Sequence, residues 1–269
     1  MVGRLKEKIR RVKAIEALEC MTQDLRMLGV REGGVLLVHS SLRALVWVEG
    51  GPETVVRALL EAVGPEGTLL MPALTYERVT RAQPVFDVRR TPSNVGAIPE
   101  YFRTRSGTLR SMHPTHSVCG VGALANALLG DHAQDATPCG AHSPFRKLRD
   151  VGGQILMLGC GLRPNTSMHA IEELVEPPYL FSDRPISYRL VYEDGHAEEK
   201  SYRAHGFEGW VQRYDRVAEV LPSPYLAEGI VLAARVHLIE VPVLWAAVLE
   251  ALRHDPLSFV DREAEAWGE

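Results

Sequence analysis

Continuous apolar runs alternate with amphipathic segments along the chain. The runs "GVLLVHSS", "GTLLMPA" and "GGQILMLGCG" contain few polar residues, which is typical of strands buried on both faces of a parallel sheet. Between the first two, "GPETVVRALLEAVG" begins with Pro52 and ends at Gly64, a pattern that predicts a helix. Strand, helix and strand in this order predict a βαβ unit with a parallel pair of strands.

The remaining segments continue this α/β pattern. Apolar residues at helical spacing predict an N-terminal helix over about 4–28, and "PSNVGAIPEYFRTR" predicts a helix capped by Ser93 and Asn94. "ISYRLVYEDGHAEEKSYR" alternates around an Asp-Gly pair, which predicts an antiparallel hairpin insertion over about 186–203. The length fits one large α/β domain or two small ones, and we expect a single domain over 1–269. The other predicted elements are a strand in "THSVCGVG", a helix in "ALANALLG", a helix near 207–220, a strand near 229–240 and a helix near 242–253.

Composition and charge narrow the class of protein. The chain is 46% hydrophobic and 24% charged, which is ordinary for a globular protein. Its formal net charge of -4 is unlike that of a protein whose main role is to bind nucleic acid. Its first residues, "MVGRLKEKIRRVK", lack the apolar core of a secretory signal, and no apolar run approaches the roughly 20 residues that span a bilayer. We therefore expect a cytoplasmic protein that binds neither nucleic acid nor a membrane. Free thiols are expected at the widely spaced cysteines Cys20, Cys119, Cys139 and Cys160.

The stretch "PNTSMHAIEELVEPPY" directly follows the most strand-like run and carries the clearest candidate chemistry. His169 and Glu172 lie three residues apart on a predicted short helix that Asn165 or Thr166 caps. Three interpretations fit this spacing: a solvated helix face, a pair of metal ligands, or a general base oriented by a carboxylate. The position past the carboxyl end of a strand favours a functional role, because open α/β sheets bind their ligands there.

Other histidines and cysteines lack the spacing of a metal motif. The segment "HPTHSVC" supplies His113, His116 and Cys119, and "CGAH" supplies Cys139 and His142. Neither segment contains the closely spaced ligand pairs, such as Cys-x-x-Cys, that are typical of zinc motifs. If His116 and Cys119 lie on the predicted strand, they point to opposite faces. No metal site is therefore expected.

Two short segments are candidates for holding an anion. The chain has no P-loop and no Gly-x-Ser-x-Gly elbow. "HSSLRAL", at the end of the first predicted strand, offers Ser40 and Ser41, and "TPSNVG" offers Ser93 and Asn94 at a predicted helix N-terminus. Serine and asparagine are also simply common cap residues. Arginines nearby in sequence make a phosphorylated cofactor plausible: Arg103, Arg105 and Arg110.

Several of these segments together resemble one known family. "LLVHSSLRAL", "GGPETVVRALLEAVGPEGTLLMPALTYE", "TPSNVGAIPEYFR", "RSMHPTHSVCGVG", "HSPFRKL" and "TSMHAIEE", in this order, are similar to the aminoglycoside 3-N-acetyltransferase family of antibiotic N-acetyltransferases. The similarity covers roughly residues 15–260 and is looser in the C-terminal third. It implies an α/β fold with a central mixed sheet flanked by helices, distinct from the GNAT acetyltransferases, with acetyl-CoA as donor and an amine as acceptor.

The resemblance also implies roles for particular residues. The family's His-x-x-Glu element falls on His169 and Glu172, and its His-Ser-Ser-Leu element begins at His39. Other family elements resemble the segments that line the channel for CoA. The residues expected to bind the cofactor are Ser40, Ser41, Leu42, Ser93, Asn94, Val95, Gly96, Arg110, His113, His116 and Ser117.

The implied reaction is direct acetyl transfer in a ternary complex. An ammonium has no lone pair, so a base must accept a proton, and we expect His169, oriented by Glu172, to do so. Thr166 or the Ser40-Ser41 turn would stabilise the oxyanion. His39 would position a reacting group or serve the leaving thiolate. The enzymatic alternative is a covalent acetyl-cysteine at Cys119 or Cys160.

A polycationic acceptor requires carboxylates around its cleft. The sequence offers acidic residues near the motifs or in later loops, and Glu173 is otherwise expected to be an ordinary solvated charge. Two alternatives stay open: an amine other than an aminoglycoside, and a CoA-binding or small-molecule-binding protein without catalysis. Either a monomer or a homodimer is expected. The acceptor candidates are Glu77, Asp183 and Glu208, with Glu173 and Glu176 as further acidic neighbours.

Overall fold

A computed structural model describes residues 2–45 and 47–266, with side chains for 13–45 and 47–264. The α-helices are α1 (Val2–Leu28), α2 (Pro52–Val63), α3 (Ala97–Thr104), α4 (Ala125–Leu129), α5 (Pro144–Asp150), α6 (Ser167–Val175), α7 (Val217–Val220), α8 (Val241–His254) and α9 (Glu263–Ala266). The strands are β1 (Val35–Ser40), β2 (Thr68–Pro72), β3 (Val85–Asp87), β4 (Leu109–Arg110), β5 (Val118–Gly122), β6 (Gln154–Leu158), β7 (Ile186–Val191), β8 (Ala197–Tyr202), β9 (Trp210–Gln212), β10 (Leu226–Val231), β11 (Ala234–Glu240) and β12 (Val260–Arg262). Short 3-10 helices occupy Leu42–Leu45, His132–Gln134 and Tyr214–Arg216.

The main sheet of the described residues has seven strands in the order β10, β11, β6, β1, β2, β5 and β4. The central strands β6, β1 and β2 are parallel, and the outer pairs are antiparallel. Leu36 of β1 is in register with Leu69 of β2 and Gln154 of β6. The predicted α/β class with a mixed sheet is confirmed, as is the βαβ unit formed by β1, α2 and β2.

Helices cover both faces of this sheet. Leu36 of β1 packs on one face with Leu59 of α2. Leu37, the next residue, points to the opposite face and packs with Ile171 of α6 and Leu244 of α8. Burial on both faces explains why the central strands are continuous apolar runs. The same packing anchors α6 against the ends of the parallel strands.

Smaller sheets flank the main one. β7 and β8 form the predicted hairpin, in which Ile186 pairs with Tyr202, and β3 runs parallel to β7 on its other side. β9 pairs with β12, which brings the chain near its C-terminal end beside the segment that follows β8. The hairpin insertion is therefore confirmed and belongs to a three-stranded sheet.

Two predictions in the C-terminal third are wrong. The predicted helix near 207–220 is instead β9, a 3-10 helix and α7, because Trp210–Gln212 pairs with Val260–Arg262, a distant partner that a local pattern cannot reveal. The predicted strand near 229–240 is two antiparallel strands, β10 and β11, separated by a turn in which Leu232 has a φ of 54°.

The predicted capping by Ser93 and Asn94 is also wrong. Helix α3 begins at Ala97, after Gly96 with a φ of 116°, and no side chain caps it. A positive φ of this size favours glycine, so the chain turns there rather than at the serine. The hydroxyl of Ser93 instead accepts a hydrogen bond from the backbone N–H of Val95 at 3.3 Å.

At the other end of the chain, α1 confirms the predicted N-terminal helix. None of the helices in the described part of the chain is long and apolar enough to cross a membrane. A single domain over 1–269 stays a prediction.

Candidate active site

A cavity of about 480 Å³ lies at the carboxyl ends of β1 and β6. His39 and Ser40 end β1, and Cys160 follows β6. Parallel strands of an α/β sheet place ligand sites at this edge, as the sequence predicted. The cavity is lined by Val38, His39, Ser40, Pro72, Leu74, Tyr76, Val95, Pro99, His116, Cys160, Arg163, Pro164, Asn165, Thr166, His169, His205, Phe207, Gln212 and Tyr214.

The centre of the site is the pair formed by His169 and Glu172 on α6. Nδ1 of His169 lies 3.0 Å from Oε2 of Glu172, one helical turn away. Both residues are buried, and Glu172 has no exposed surface. The interpretation of this pair as a solvated helix face is therefore wrong. A buried carboxylate needs hydrogen-bond donors, and the histidine supplies one of them.

Two tyrosines supply the other donors to Glu172. Tyr179 donates to Oε1 at 2.8 Å, and Tyr214 donates to Oε2 at 2.7 Å. Burial first, and then the charge of Glu172, raise the pKa of both hydroxyls well above its ordinary value, so both stay protonated. Neither tyrosine was predicted from the sequence as part of the site. Tyr179 stands just past the double proline of the motif, which was an available signal, whereas Tyr214 comes from a 3-10 helix far along the chain.

This arrangement fixes the tautomer of His169. A carboxylate only accepts hydrogen bonds, so the proton lies on Nδ1. Nε2, with its lone pair, is left for the cavity that His169 lines. The pair therefore has the geometry of a general base held by a carboxylate.

His39, the third predicted catalytic residue, lines the same cavity from β1. Burial, with a smaller contribution from the charge of His169, lowers the pKa of His39 to about 3. The imidazole is therefore neutral at physiological pH. Its Nε2 is buried and has no hydrogen-bond partner among the described residues.

Two further histidines complete the wall beside His169. His116 lies in the turn before β5, so the prediction that it falls on a strand is wrong, and it reaches the cavity. His205, which was not predicted from the sequence, follows β8, and its ring centroid is 4.8 Å from that of His169. Burial first, and the charges of neighbouring histidines second, hold the pKa of both His116 and His205 well below its ordinary value.

Glu173 holds His205 in place, which corrects the expectation of a solvated charge. Its Oε1 lies 2.8 Å from Nε2 of His205, and its carboxylate also accepts hydrogen bonds from the hydroxyl of Thr137 and the backbone N–H of Cys139. The side chain is only 3% exposed. Burial raises the pKa of this carboxyl despite these donors.

Side chains that carry hydrogen-bond donors line the cavity at the start of α6 and at the end of β1. Thr166 lines the cavity, as does Ser40, whose hydroxyl is buried without a partner among the described residues. Asn165 was expected only as a possible cap, and its Oδ1 does accept a hydrogen bond from the backbone N–H of Ser167 at 3.2 Å. Its Nδ2 has no such partner and also belongs to the lining. Thr166 makes no side-chain cap.

The residues expected to bind the cofactor fall into two groups. Ser40, Val95 and His116 line the cavity. The guanidinium of Arg110 is instead partly buried and held by protein contacts, and its Nε donates a hydrogen bond to the hydroxyl of Ser117 at 3.0 Å. These roles stay predictions. The expected residues that lie outside the cavity lining are Ser41, Leu42, Ser93, Asn94, Gly96, Arg110, His113 and Ser117.

None of the acidic residues predicted to bind the acceptor belongs to the described cavity lining. Glu77 and Glu208 are exposed, and each is the sequence neighbour of a lining residue, Tyr76 and Phe207 respectively. Asp183 is also exposed, on the segment before β7. Their role in binding the acceptor stays a prediction. Glu176, a further candidate, is paired with Arg203 at 2.8 Å.

The cysteines are free thiols, as predicted. Cys119 is fully buried in the core, and Cys160 lines the cavity. Burial raises the pKa of each of these two thiols to about 12. Neither therefore has the low pKa of a nucleophilic cysteine.

The fold and the site together define an α/β protein with a carboxylate-oriented histidine at the carboxyl edge of its parallel strands. The chain belongs to the aminoglycoside 3-N-acetyltransferase family, whose model matches residues 37–253. It is 35% identical over 175 residues to aminoglycoside N(3)-acetyltransferase VII of Streptomyces paromomycinus, and this alignment covers 59% of the chain and 60% of that relative. The matched part thus spans less than two thirds of the length of this curated relative.

Solved structures agree over a larger part of the chain. The structure of AAC-IIIb in a binary complex with CoASH matches with a TM-score of 0.76 and 28% identity, over 87% of this chain and 95% of that chain. The neutron and X-ray structure of sisomicin-bound AAC-VIa also has a TM-score of 0.76 and 28% identity, over 88% and 97%. The predicted family is confirmed.

Proposed function

We propose that this protein is an acetyl-CoA-dependent N-acetyltransferase that modifies the 3-amino group of an aminoglycoside antibiotic and so confers resistance. The observation that carries the proposal is the contact of 3.0 Å between Nδ1 of His169 and Oε2 of Glu172, at a cavity that His169 lines. The names of the relatives, and the CoASH and sisomicin in the matched structures, support both the donor and the acceptor class.

In the proposed reaction the acceptor amine attacks the carbonyl carbon of the thioester, forming a C–N bond. Nε2 of His169 accepts the proton that the nitrogen loses, and Glu172 stabilises the resulting imidazolium. Collapse of the tetrahedral intermediate breaks the C–S bond, and the leaving thiolate takes the proton from the imidazolium of His169, which returns the base to its neutral form. General-base assistance of this kind is worth on the order of 10² to 10⁴ in rate.

The negative oxygen of the intermediate needs donors that are already in place. The carboxamide N–H of Asn165 and the hydroxyls of Thr166 and Ser40 all belong to the lining near His169. Donors fixed before the reaction stabilise developing charge without reorganisation. We assign the oxyanion to this group of residues.

The neutral histidines suit a cationic acceptor. Burial keeps the pKa of His39 and His116 low, so neither adds positive charge beside the reacting ammonium. The exposed carboxylates Glu77 and Glu208 flank lining residues and would meet the other ammonium groups. A cytoplasmic location and a monomeric or homodimeric state belong to this proposal as predictions.

The test is thiol release from acetyl-CoA by the purified chain with a panel of aminoglycosides and other amines. We expect turnover with aminoglycosides and a loss of about 10² or more in kcat for His169→Gln, with CoA binding retained by calorimetry. The matched control is His254→Asn, an exposed histidine at the end of α8. Full activity of His169→Gln would overturn the assignment of the base.

The same assay separates the alternatives. Turnover only with amines that are not aminoglycosides would favour a different acceptor class. CoA binding without thiol release for any amine would favour a binding protein without catalysis.

A further inference from the structure

Three histidines from separate parts of the chain meet at one side of the cavity. His116 comes from the turn before β5, His169 from α6 and His205 from the segment after β8. One ring nitrogen of each lies within 4.8 Å of the corresponding nitrogens of the other two. The ring centroids are 4.8 Å apart for His169 and His205, and 5.2 Å apart for His116 and His205.

One nitrogen of each imidazole has a hydrogen-bond partner that orients the ring. Nδ1 of His169 bonds to Glu172 at 3.0 Å, and Nε2 of His205 bonds to Glu173 at 2.8 Å. Nδ1 of His116 lies 2.9 Å from the hydroxyl of Thr115. Histidines that ligate metal ions characteristically have such a partner, which fixes the tautomer and turns the free nitrogen toward the ion.

Among the described residues, Nδ1 of His205 has no hydrogen-bond partner. This atom is buried, and the side chain as a whole is only 6% exposed. Leaving a buried polar atom unpaired costs about 1–3 kcal/mol, so a ligand that pairs with it gains binding energy. This atom belongs to one of the three neighbouring imidazoles. An unpaired nitrogen in such a group indicates a site for a metal ion that is coordinated by nitrogen ligands.

We propose that His116, His169 and His205 form a binding site for Zn²⁺, with the fourth coordination position open to the cavity. Three imidazoles with an open position are a known ligand set for this ion. Ca²⁺ and Mg²⁺ prefer oxygen ligands, which this set does not provide. Acetyl transfer itself does not require the ion.

Occupancy of this site blocks catalysis. Coordination takes the Nε2 lone pair of His169, which is the proton acceptor in the proposed reaction. Zn²⁺ is therefore an inhibitor of this protein, and a chelator restores the activity. The inhibition rests on the proposed function, whereas the binding of the ion does not.

The test measures the binding directly. The full chain is titrated with ZnSO4 by calorimetry, and Co²⁺ is used as a spectroscopic probe whose visible bands report tetrahedral nitrogen ligation. We expect about one equivalent of Zn²⁺ to bind, with an affinity at least about tenfold weaker in His205→Asn and in His116→Asn. His254→Asn, which changes an exposed histidine outside the group, should bind as the parent chain does.

Both His205→Asn and His116→Asn are tested because one of them could fail to fold. Thermal unfolding identifies such a defect. The proposal is overturned if the parent chain takes up no ion, or if the well-folded variants bind Zn²⁺ as tightly as the parent. Because calorimetry needs neither acetyl-CoA nor an amine, failure of the proposed acetyl transfer leaves this result unaffected.

Discussion

The hydroxyl of Tyr214 lies 2.9 Å from Nδ1 of His169 and donates a hydrogen bond of 2.7 Å to Oε2 of Glu172. It therefore touches both members of the candidate catalytic pair. Tyr214 is also in the apolar core, where Val217 and Leu244 pack in the same cluster. The C-terminal third of the chain thus helps to hold His169 in position, although His169 and Glu172 both belong to α6.

Removing this hydroxyl should lower turnover. In Tyr214→Phe the carboxylate loses a donor and His169 loses a contact that fixes its ring, and a hydrogen bond to a charged group is worth about 1.5–3 kcal/mol. We expect kcat to fall by roughly 10-fold to 100-fold, since each 1.4 kcal/mol is about tenfold in rate. Steady-state kinetics with acetyl-CoA and an accepted amine measure the effect.

Tyr179→Phe is the matched control, because Tyr179 also donates to Glu172 but its hydroxyl bonds to Oε1, away from His169. A smaller loss of kcat is expected for this variant. Equal activity of Tyr214→Phe and the parent chain would show that the hydroxyl does not support the base.

Arg110 provides a second prediction, because its contacts indicate a structural role. The partly buried guanidinium donates hydrogen bonds to the Ser117 hydroxyl and to the backbone oxygens of Val88, Thr91 and Ala73. Lysine cannot reproduce this fork of donors. We expect Arg110→Lys to lower the free energy of unfolding by about 2–4 kcal/mol, measured in urea, with CoA affinity unchanged. Unchanged stability together with weaker CoA binding would instead support its predicted role as a cofactor ligand.

The buried histidines predict a strong pH dependence of stability. Burial lowers the pKa of His39 to about 3 and of His132 to about 4, and it holds those of His113, His116 and His205 well below the ordinary value of about 6.5. As the pH falls below about 6.5, the unfolded chain binds protons that the folded chain does not, so stability that is present above this pH is lost toward pH 4. Each histidine contributes up to about 1.4 kcal/mol per pH unit.

Urea unfolding between about pH 7.5 and 5 measures this slope. His132 lies outside the cavity lining, so His132→Gln should reduce the slope by up to about one proton without altering the site. A free energy of unfolding that stays constant as the pH falls would contradict the burial of neutral histidines.

No acetyl-enzyme is expected on a cysteine. With a pKa raised to about 12 by burial, Cys119 and Cys160 carry a thiolate fraction near 10⁻⁵ at neutral pH. Mass spectrometry of the chain after incubation with acetyl-CoA and no acceptor should show neither residue acetylated. Alkylation of the exposed Cys20 serves as the positive control for thiol detection. A stoichiometric acetyl group on Cys160 would replace direct transfer with the covalent route.

The central elements could be predicted from the sequence because their signals are local. β1, α2, β2 and β6 follow from continuous apolar runs and from Pro52 and Gly64. His169 and Glu172 were predictable as a pair because three residues is almost one helical turn, and their position follows from the strand before them. The helix predicted near 207–220 is wrong, since the pairing of β9 with β12 overrode the helical pattern.

By itself, the sequence determined the α/β class, the family motifs and the His-x-x-Glu pair. Only the tertiary structure decided what surrounds that pair. Tyr214, His116 and His205 come from distant parts of the chain, and folding brings them to His169. Folding also buries Glu173, which the sequence had led us to expect as a solvated charge beside Glu172. Burial and contact between distant segments depend on packing in three dimensions, and spacing along the chain does not encode them.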